Sequence, residues 1–335
     1  MYKSIMSSGN YIKILVTGGA GFIGSNFIHY WLKKYKKDEI INLDKMTYAA
    51  NPKNLEGLPE DRHRLVVGDI ADAELVNKLV KDVDAIVNFA AESHVDNSIN
   101  NSEPFIHSNI VGVHVLLEAA RKYEKRFHQI STDEVYGSLP LNSAKRFNEH
   151  TPYNPRNPYA ATKAAADHLV LAYVNTYKLN ATISNCSNNF GPRQHSEKLI
   201  PKAITNALQG RPIPIYGNGM QVRDWIYVED HCSAIDLILK KGEIGEKYLV
   251  SAENELHNID VVKSILKILN KPNSLIQYVA DRPGHDVRYA LEPKKIKELG
   301  WKPKYKFGEA LENTVKWYKK LTEEGNNYLV NTTDV

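Results

Sequence analysis

Cysteine is scarce in this chain, and so are other features of metal-binding, membrane and nucleic-acid-binding proteins. The two cysteines, Cys186 and Cys232, belong to no CxxC or Cys/His cluster, which predicts reduced thiols in a cytoplasmic protein and no metal site. No apolar run approaches the roughly 18 residues of a membrane span. Basic and acidic residues number 43 and 39, without a long Lys/Arg run, so we expect neither membrane nor nucleic acid as a partner. Residues 1–11 lack the apolar core of a signal peptide and are expected to be a disordered lead-in.

Strand-like and helix-like patterns alternate along the first 190 residues. This alternation predicts an α/β fold of the Rossmann type, a doubly wound parallel sheet spanning 12–190 with part of 225–255. Pro and Gly become frequent after residue 190, which predicts a smaller, irregular α/β C-terminal lobe over 191–335. Strands are predicted at 12–17, up to Asp44, and at 64–69, 84–90, 126–132 and 181–187. Helices are predicted through about 36, and near 72–81, 104–123, 158–178, 198–208, 229–240, 258–269 and 308–322.

A glycine-rich turn follows the first predicted strand. Residues 17–24 read TGGAGFIG and open a helix, where glycines allow a tight turn and a close approach of the backbone to a pyrophosphate. Asp44 ends the second strand at the spacing that suits a ribose hydroxyl, and its charge favours NAD over NADP. The Asp69-Ile70 pair after the third strand is expected near the adenine. The alternative for Asp44 is that it merely caps a turn.

A Tyr/Lys pair stands one helical turn apart in the predicted helix after the fifth strand. Tyr159 and Lys163 can carry proton chemistry, because an ammonium and a cationic nicotinamide both lower the pKa of a phenol. The pattern alone is nonspecific, since Tyr30 and Lys34 share it, and we expect that copy on an ordinary helix surface. Asn157, followed by proline, marks the helix start for the Tyr159 copy.

Two adjacent carboxylates follow the fifth strand. Residues 131–134 read STDE and leave the carboxyl end of the strand, the edge at which open α/β sheets bind ligands. Asp133 and Glu134 can serve as separate acid and base if their surroundings push their pKa values apart. The alternative is that one of them caps the following turn.

These motifs resemble the dTDP-glucose 4,6-dehydratases, a family of the extended short-chain dehydrogenases/reductases. The resemblance spans residues 14–300 and is most specific in the segments STDEVYG, AAESHVD and DRPGHD. Further matching segments are TGGAGFIGSNF, PYAATKAAADH, EKLIPKAI, YGNGMQVRDWIYVEDHC and NIDVV.

The resemblance implies a lyase that dehydrates a nucleotide-activated hexose with NAD recycled in place. Tyr159, aided by Lys163 and Thr132, takes the proton of the 4-hydroxyl as hydride passes to NAD. Glu134 then removes the proton on carbon 5 while Asp133 protonates the leaving 6-hydroxyl. Hydride returns to carbon 6, which gives a 4-keto-6-deoxy sugar nucleotide.

Binding residues also follow from the resemblance. The expected NAD contacts are Gly18, Gly21, Phe22, Ile23, Gly24, Asp44, Lys45, Thr47, Asp69, Ile70, Ala90, Ala91, Tyr159, Lys163 and Asn189. The expected substrate contacts are His94, Thr132, Asn188, Lys198, Leu199, Pro214, Tyr216, Arg223, Asn258, Arg282 and His285.

Some residues depart from the family pattern. Asn97 stands where the family has Arg, and Phe190, Arg193, Ser196 and the segment 248–252 also differ. The overall match favours dTDP-glucose as substrate, while a new donor at Arg193 leaves UDP-N-acetylglucosamine and UDP-glucose open.

Two other functions remain open at this stage. A nucleotide-sugar 4-epimerase would use the Tyr/Lys pair without an elimination, and a non-catalytic sensor of NAD or sugar nucleotide would use neither. The adjacent acids argue against both.

A homodimer is also expected. The predicted helices 104–123 and 158–178 carry apolar residues on more than one face, which leaves one face for the sheet and another for a partner subunit. The resemblance implies that the two subunits meet through a four-helix bundle.

Overall fold

Seven parallel strands form the main sheet of the computed structural model, which describes residues 11–281 and 285–324. Their order is β10-β6-β5-β4-β1-β2-β3, so the direction of winding reverses between β1 and β4. The described strands are β1 (Lys13–Thr17), β2 (Glu39–Asp44), β3 (His63–Val67), β4 (Ala85–Asn88), β5 (Arg126–Thr132), β6 (Ala181–Cys186), β7 (Asn188–Phe190), β8 (Ile213–Tyr216), β9 (Val222–Tyr227), β10 (Lys247–Val250), β11 (Glu255–His257) and β12 (Ile276–Val279).

Helices cover both faces of this sheet. The described helices are α1 (Phe22–Lys34), α2 (Ala73–Val80), α3 (Val95–Asn100), α4 (Glu103–Ile106), α5 (Val113–Lys122), α6 (Pro158–Tyr177), α7 (Leu199–Leu208), α8 (Val228–Lys241), α9 (Asn258–Ile268), α10 (Lys294–Glu298) and α11 (Phe307–Glu323). Helices α2, α5 and α6 pack on one face around Leu15 and Ile86. Helices α1 and α8 pack on the other face around Ile14 and Val87. The predicted doubly wound α/β fold is therefore confirmed.

The C-terminal lobe is built on two small sheets rather than on helices alone. Strands β11-β9-β7 form one sheet and β12-β8 the other, with a core that includes Trp225, Ile204 and Val262. The sequence predicted the helices of this lobe but not its strands, because runs of three or four residues are too short to show a period. Helix α8 and strand β10, within 225–255, pack on and join the main sheet.

The helix predicted over 104–123 is interrupted. Between α4 and α5, the backbone forms a π-helical segment at His107–Gly112. That segment directs buried Asn109 inwards, where its amide accepts from the Glu92 N–H and donates to the Glu92 carbonyl and the Thr162 hydroxyl, each at 3.0 Å. The irregular turn thus ties the loop after β4 to helix α6, as π-bulges at functional sites commonly do.

The predicted disordered lead-in covers residues 1–11. Tyr11, which is exposed, is described, and residues 1–10 lie outside the described residues. Among the residues that the structure describes, no helix has the length and apolar character to cross a membrane.

Candidate active site

A cleft of about 660 Å³ opens at the carboxyl ends of the main-sheet strands, at the point where the winding reverses. Every residue that the sequence predicted as a catalytic group or an NAD contact lines this cleft. The predicted catalytic residues there are Thr132, Asp133, Glu134, Tyr159 and Lys163.

The glycine turn between β1 and α1 forms one end of the cleft. Gly18 has a φ of 69°, and a Cβ there would lie only 2.6 Å from the Ala90 nitrogen. A Cβ on Gly24 would overlap the Gly18 carbonyl oxygen. Helix α1 begins at Gly21 without a side-chain cap, which leaves its first N–H groups to a ligand. The turn therefore fits the pyrophosphate of a dinucleotide.

Two carboxylates stand beside this turn. Asp44 accepts hydrogen bonds from the Ala20 and Met46 N–H groups at 2.9 and 2.8 Å, and burial raises its pKa despite them. Burial acts in the same sense on Asp69, but Lys45, at 2.8 Å, and His107, at 3.0 Å, help to lower the Asp69 pKa to about 2. The pair supplies acceptors for the hydroxyl and amino groups of an adenosine.

The opposite end of the cleft joins α6 to the end of β5. Lys163 donates from Nζ to the Ile130 carbonyl at 2.7 Å. The Thr132 hydroxyl donates to Asp133 Oδ1 at 3.2 Å and accepts from the Glu134 N–H at 3.3 Å. The predicted acids, threonine and Tyr/Lys pair therefore meet in one site.

Asp133 and Glu134 differ in their surroundings. Asp133 is buried, with its Oδ2 lacking a hydrogen-bond partner among the described residues, whereas Glu134 is only partly buried. Burial, followed by the charges of Glu134 and Asp224, raises the pKa of Asp133 well above its ordinary value. The direction of this shift favours a protonated Asp133, which is the form that the predicted division of roles requires of the acid.

The protein's own groups do not lower the pKa of the Tyr159 phenol. Burial and then the charge of Glu134 raise it well above the ordinary value, against an opposing hydrogen bond from Thr132. Burial also lowers the pKa of Lys163. The predicted lowering required a cationic nicotinamide as well as the ammonium, so it stays a prediction for the enzyme with NAD bound.

The second Tyr/Lys pair lies on the surface of α1, with Lys34 exposed and Tyr30 half-buried, and contacts α8. The Tyr30 hydroxyl donates to Asp236 Oδ2 of α8 at 2.9 Å, and Lys34 bonds both Tyr30, at 2.9 Å, and Asp236, at 2.5 Å. Because Asp236 holds this pair between α1 and α8, away from the cleft, its role is packing.

The predicted substrate residues divide into two groups. Thr132, Asn188 and Lys198 line the cleft, and Lys198 donates to the Ser93 carbonyl at 3.1 Å. The others lie outside its lining, except Arg282, which lies outside the described residues. Those outside the lining are His94 at the start of α3, Leu199 at the start of α7, Pro214 and Tyr216 on β8, Arg223 on β9, Asn258 at the start of α9, and His285.

Part of the second group converges in the C-terminal lobe. The Tyr216 and His285 rings meet edge to face at 5.9 Å, and Gln221 lies 3.4 Å from His285 Nδ1. The Asn258 N–H donates to the Gln221 carbonyl at 3.0 Å, while the buried Asn258 Oδ1 has no partner among the described residues. This cluster offers an aromatic face and polar atoms to a nucleotide.

Arg223 connects that cluster with the catalytic acids. Its guanidinium stacks 4.4 Å from the Tyr289 ring centre and donates to the Asp286 carbonyl at 2.9 Å. Its positive charge acts to lower the pKa of Asp133 against the stronger effect of burial. Arg223 therefore acts electrostatically on the catalytic end while its guanidinium contacts Tyr289.

The departures from the family pattern do not all face the cleft. Arg193 donates from Nη1 to Asn26 Oδ1 of α1 at 3.2 Å and is not among the lining residues. Asn97 is exposed on α3, and Ser196 is buried. The predicted new hydroxyl or acetamido donor at Arg193 is thus directed towards α1 instead.

Several lining residues were not predicted from the sequence. Glu197 lies 3.5 Å from His195 Nδ1 and 3.8 Å from Lys198 Nζ, and Cys186 lies beside the catalytic end. Burial opposes the drop, but His195 and Lys198 lower the pKa of Glu197. The segment HSEK at 195–198 was a usable signal, since the sequence singled out Ser196 and Lys198 but not the His195 and Glu197 beside them.

Comparison with known proteins agrees with this site. The family model for GDP-mannose 4,6 dehydratase matches residues 15–314. A dTDP-glucose 4,6-dehydratase of Mycobacterium tuberculosis is 52% identical over 310 residues, covering 92% of this chain and 93% of the relative. The crystal structure of a dTDP-glucose 4,6-dehydratase from Streptomyces venezuelae with NAD bound is 44% identical, with a TM-score of 0.90 over 93% of this chain and 98% of that one.

Epimerases share the fold at lower identity. The structure of a UDP-glucose 4-epimerase from Thermus thermophilus with NAD has a TM-score of 0.85 and 29% identity, covering 92% of this chain and 99% of that one. Fold and site thus define an extended short-chain dehydrogenase/reductase. Within that class, the chain belongs to the nucleotide-sugar 4,6-dehydratases, the family that includes these dTDP-glucose 4,6-dehydratases.

Proposed function

We propose that this chain converts dTDP-glucose to the 4-keto-6-deoxy sugar nucleotide as an NAD-dependent hydro-lyase. The observation that carries the proposal is the buried Asp133, whose pKa is raised, next to Glu134 and beside the Tyr159/Lys163 pair. Bound NAD supplies the acceptor and donor of hydride, and the glycine turn with Asp44 fits it. The relatives at about half identity act on dTDP-glucose by name, which supports the same substrate here.

The side chains take separate roles in this proposal. Tyr159, with Lys163 and Thr132, removes the proton of the sugar 4-hydroxyl. The 4-ketone acidifies the proton on carbon 5, Glu134 takes that proton, and Asp133 protonates the leaving 6-hydroxyl, so water is lost. Hydride then returns to carbon 6 and carbon 5 is reprotonated. Burial supports the role of Asp133, because it raises the pKa of this carboxyl and so favours the protonated form.

The two parts of the chain divide the ligands. Residues 12–190, with α8 and β10, hold NAD through the predicted contacts, and residues 191–335 hold the sugar nucleotide. Arg223 suits a pyrophosphate because a guanidinium can bond two of its oxygens. The Tyr216 and His285 rings suit the base. The convergence of Tyr216, Asn258 and His285 in the lobe supports this division.

The cofactor can be tested directly. Because each cycle ends with oxidised cofactor, NAD stays bound through turnover. Denaturing the purified protein is expected to release stoichiometric NAD. Release of NADP instead, or a need for added NAD in every turnover, would contradict the assignment.

The substrate is tested by comparing kcat/KM for dTDP-glucose, UDP-glucose and UDP-N-acetylglucosamine, with the products weighed. We expect dTDP-glucose to be preferred and its product to lose the mass of one water. A preference of about tenfold or more for a UDP sugar would contradict dTDP-glucose as the substrate, but it would not contradict the dehydratase reaction. The direction of Arg193 towards Asn26 supports dTDP-glucose, since it adds no acetamido donor to the cleft.

The same weighing separates the competing functions. A 4-epimerase product keeps the mass of its substrate, and a sensor gives no product at all. Carbon 5 provides a second test, because a dehydratase exchanges its proton. In deuterated water the product is expected to carry deuterium at carbon 5.

The assembly is proposed to be a homodimer through the helices that flank the π-helical segment. Ile106 and Val111 expose 47% and 42% of their surfaces, and α6 exposes Ala161 and Ala172 along one stripe. Helices α5 and α6 pack together, so two copies can form a four-helix bundle there. Light scattering is expected to give the mass of two chains, and Val111→Asp to give the mass of one.

The compartment is proposed to be the cytoplasm. Both cysteines, Cys186 and Cys232, are free and buried in the structure, which fits a reducing environment. Fractionation of cells that produce the protein tests this proposal. Recovery of the protein and of its activity outside the cytoplasmic fraction would contradict it.

A further inference from the structure

A buried carboxylate that the reaction does not use lies beneath the catalytic residues. Asp167 follows Lys163 by one helical turn on α6 and is fully buried. Its Oδ2 accepts from the Ser131 hydroxyl at 2.7 Å, the Tyr153 hydroxyl at 3.0 Å and the Asn185 amide at 3.1 Å. Burial raises the pKa of Asp167, and the charge of Lys163 together with these three donors opposes that rise and favours the carboxylate.

These bonds fix the strand that carries the catalytic acids. Helix α6 is joined to β5 at two consecutive residues, by Lys163 to the Ile130 carbonyl and by Ser131 to Asp167. The Asn185 amide donates both to Asp167 and, at 3.2 Å, to the Thr132 carbonyl. Thr132, Asp133 and Glu134 follow directly, so Asp167 sets their position relative to Tyr159.

The charge of Asp167 also acts on Lys163. Burial lowers the pKa of Lys163, and the charge of Asp167 is the largest influence in the opposite direction. Lys163, in turn, opposes the effect of burial on the pKa of Asp167. Lys247 lies 4.6 Å from the centre of the Tyr153 ring, and the charge of Asp167 acts to raise the pKa of Lys247 against the larger effect of burial. The titratable groups around Asp167 are Lys163, Lys247, Tyr136, Tyr153 and His168, with Glu149 beyond Lys247.

We propose that Asp167 is a positioning residue for the first oxidation: it holds the end of β5 against α6 and balances the charge of the Lys163 ammonium. The inference rests on the proposed function, because it assigns Lys163 a charged role beside Tyr159. Without the carboxylate, Lys163 loses its proton at a lower pH. Activity then falls on the alkaline side of the pH profile earlier than in the wild type.

The test compares Asp167→Asn with the wild type, as holoenzyme, for dTDP-glucose and for the substrate deuterated at carbon 4. Asparagine keeps an accepting oxygen and removes the charge. We expect kcat to fall about tenfold or more, KM to change little, and the alkaline limb to move down by about one pH unit. The 4-deuterium isotope effect is expected to grow on that limb, because oxidation, rather than the Asp133-dependent elimination, becomes limiting.

Asp236→Asn is the matched control. Asp236 is another buried carboxylate that accepts from tyrosines and a lysine, but it lies between α1 and α8. This variant is expected to keep the wild-type pH profile even where its melting temperature falls. A pH profile of Asp167→Asn that runs parallel to the wild-type profile would overturn the inference. A shift of the alkaline limb without a larger 4-deuterium isotope effect would also overturn it.

A second variant covers the case in which Asp167→Asn does not fold. Ser131→Ala/Tyr153→Phe removes two of the three donors and keeps the carboxylate, so the pKa of Asp167 rises. The carboxylate is then neutralised at a higher pH, and we expect the acid limb of kcat to move up by about one unit. An unchanged acid limb refutes the inference, whereas a wild type that never dehydrates dTDP-glucose refutes the proposed function itself.

Discussion

The cofactor half and the nucleotide half of this molecule present their predicted residues differently. Every predicted NAD contact lines one cleft, whereas most of the predicted substrate contacts lie outside its lining. Most of the NAD contacts follow strands of one parallel sheet, whose carboxyl ends meet at one edge. Most of the substrate contacts outside the lining come from β8 and β9, which belong to two separate small sheets, and from α9 and the loop at His285. Proximity in sequence therefore predicts proximity in space only where one sheet imposes it.

The largest effect is expected at the Tyr159 hydroxyl in the cofactor half. Tyr159→Phe removes the base of the first oxidation and should lower kcat by at least about 10²–10⁴-fold, with bound NAD retained. The measurement is product formation together with the NAD content of the purified protein. Tyr30→Phe, in the other Tyr/Lys pair, is the control and should keep wild-type activity. Comparable losses of activity in Tyr159→Phe and Tyr30→Phe would contradict the assignment of Tyr159, rather than Tyr30, as the base.

A similarly large effect, on a later step of the reaction, is expected when either of the adjacent acids is replaced. Asp133→Asn and Glu134→Gln should each slow the elimination by about 10²–10⁴-fold, because each removes a positioned acid or base. Oxidation should still occur, so reduced cofactor is expected to accumulate in a single turnover, as its absorbance will show. If Glu134→Gln eliminates water at the wild-type rate, the assignment of the base is wrong.

An intermediate effect is expected in the nucleotide half. Arg223→Lys should raise KM for dTDP-glucose about tenfold or more, since a hydrogen bond to a charged group contributes about 1.5 kcal/mol or more and lysine lacks the planar fork. NAD content should not change. Arg126→Lys, at a buried arginine bonded to the Ile238 and Gly242 carbonyls, controls for lost stability. A loss of bound NAD in the Arg223→Lys variant would show that the two halves of the molecule do not bind their ligands independently.

The smallest effect is expected at a residue that the sequence marked as a pocket change. Arg193→Tyr should alter the ratio of kcat/KM values among the three sugar nucleotides by less than about twofold. The reason is that the guanidinium bonds Asn26 and does not line the cleft. A tenfold change in that ratio would show that Arg193 reaches the sugar after all.

The sequence alone determined the strand and helix pattern of the cofactor half, the glycine turn, Asp44, the Tyr/Lys pair and the adjacent acids. These are local features, since each is written in a few consecutive residues or in one helical turn. The family resemblance added the reaction and the substrate contacts, which no spacing could give. The direction of the Arg193 side chain was beyond reach, because it depends on Asn26, a residue distant along the chain.

The tertiary structure decided what surrounds the two Tyr/Lys pairs: Tyr159 and Lys163, which the sequence already favoured, line the cleft, and Asp236 contacts Tyr30 and Lys34 between α1 and α8. It also decided the direction in which the pKa of Asp133 shifts, because burial and the charges of Glu134 and Asp224 act on this carboxyl together. Asp167 shows the same dependence, since its three donors come from β5, β6 and the loop before α6. These pKa shifts and contacts depend on groups that are far apart in the sequence, so they form only when the folded chain packs those groups together.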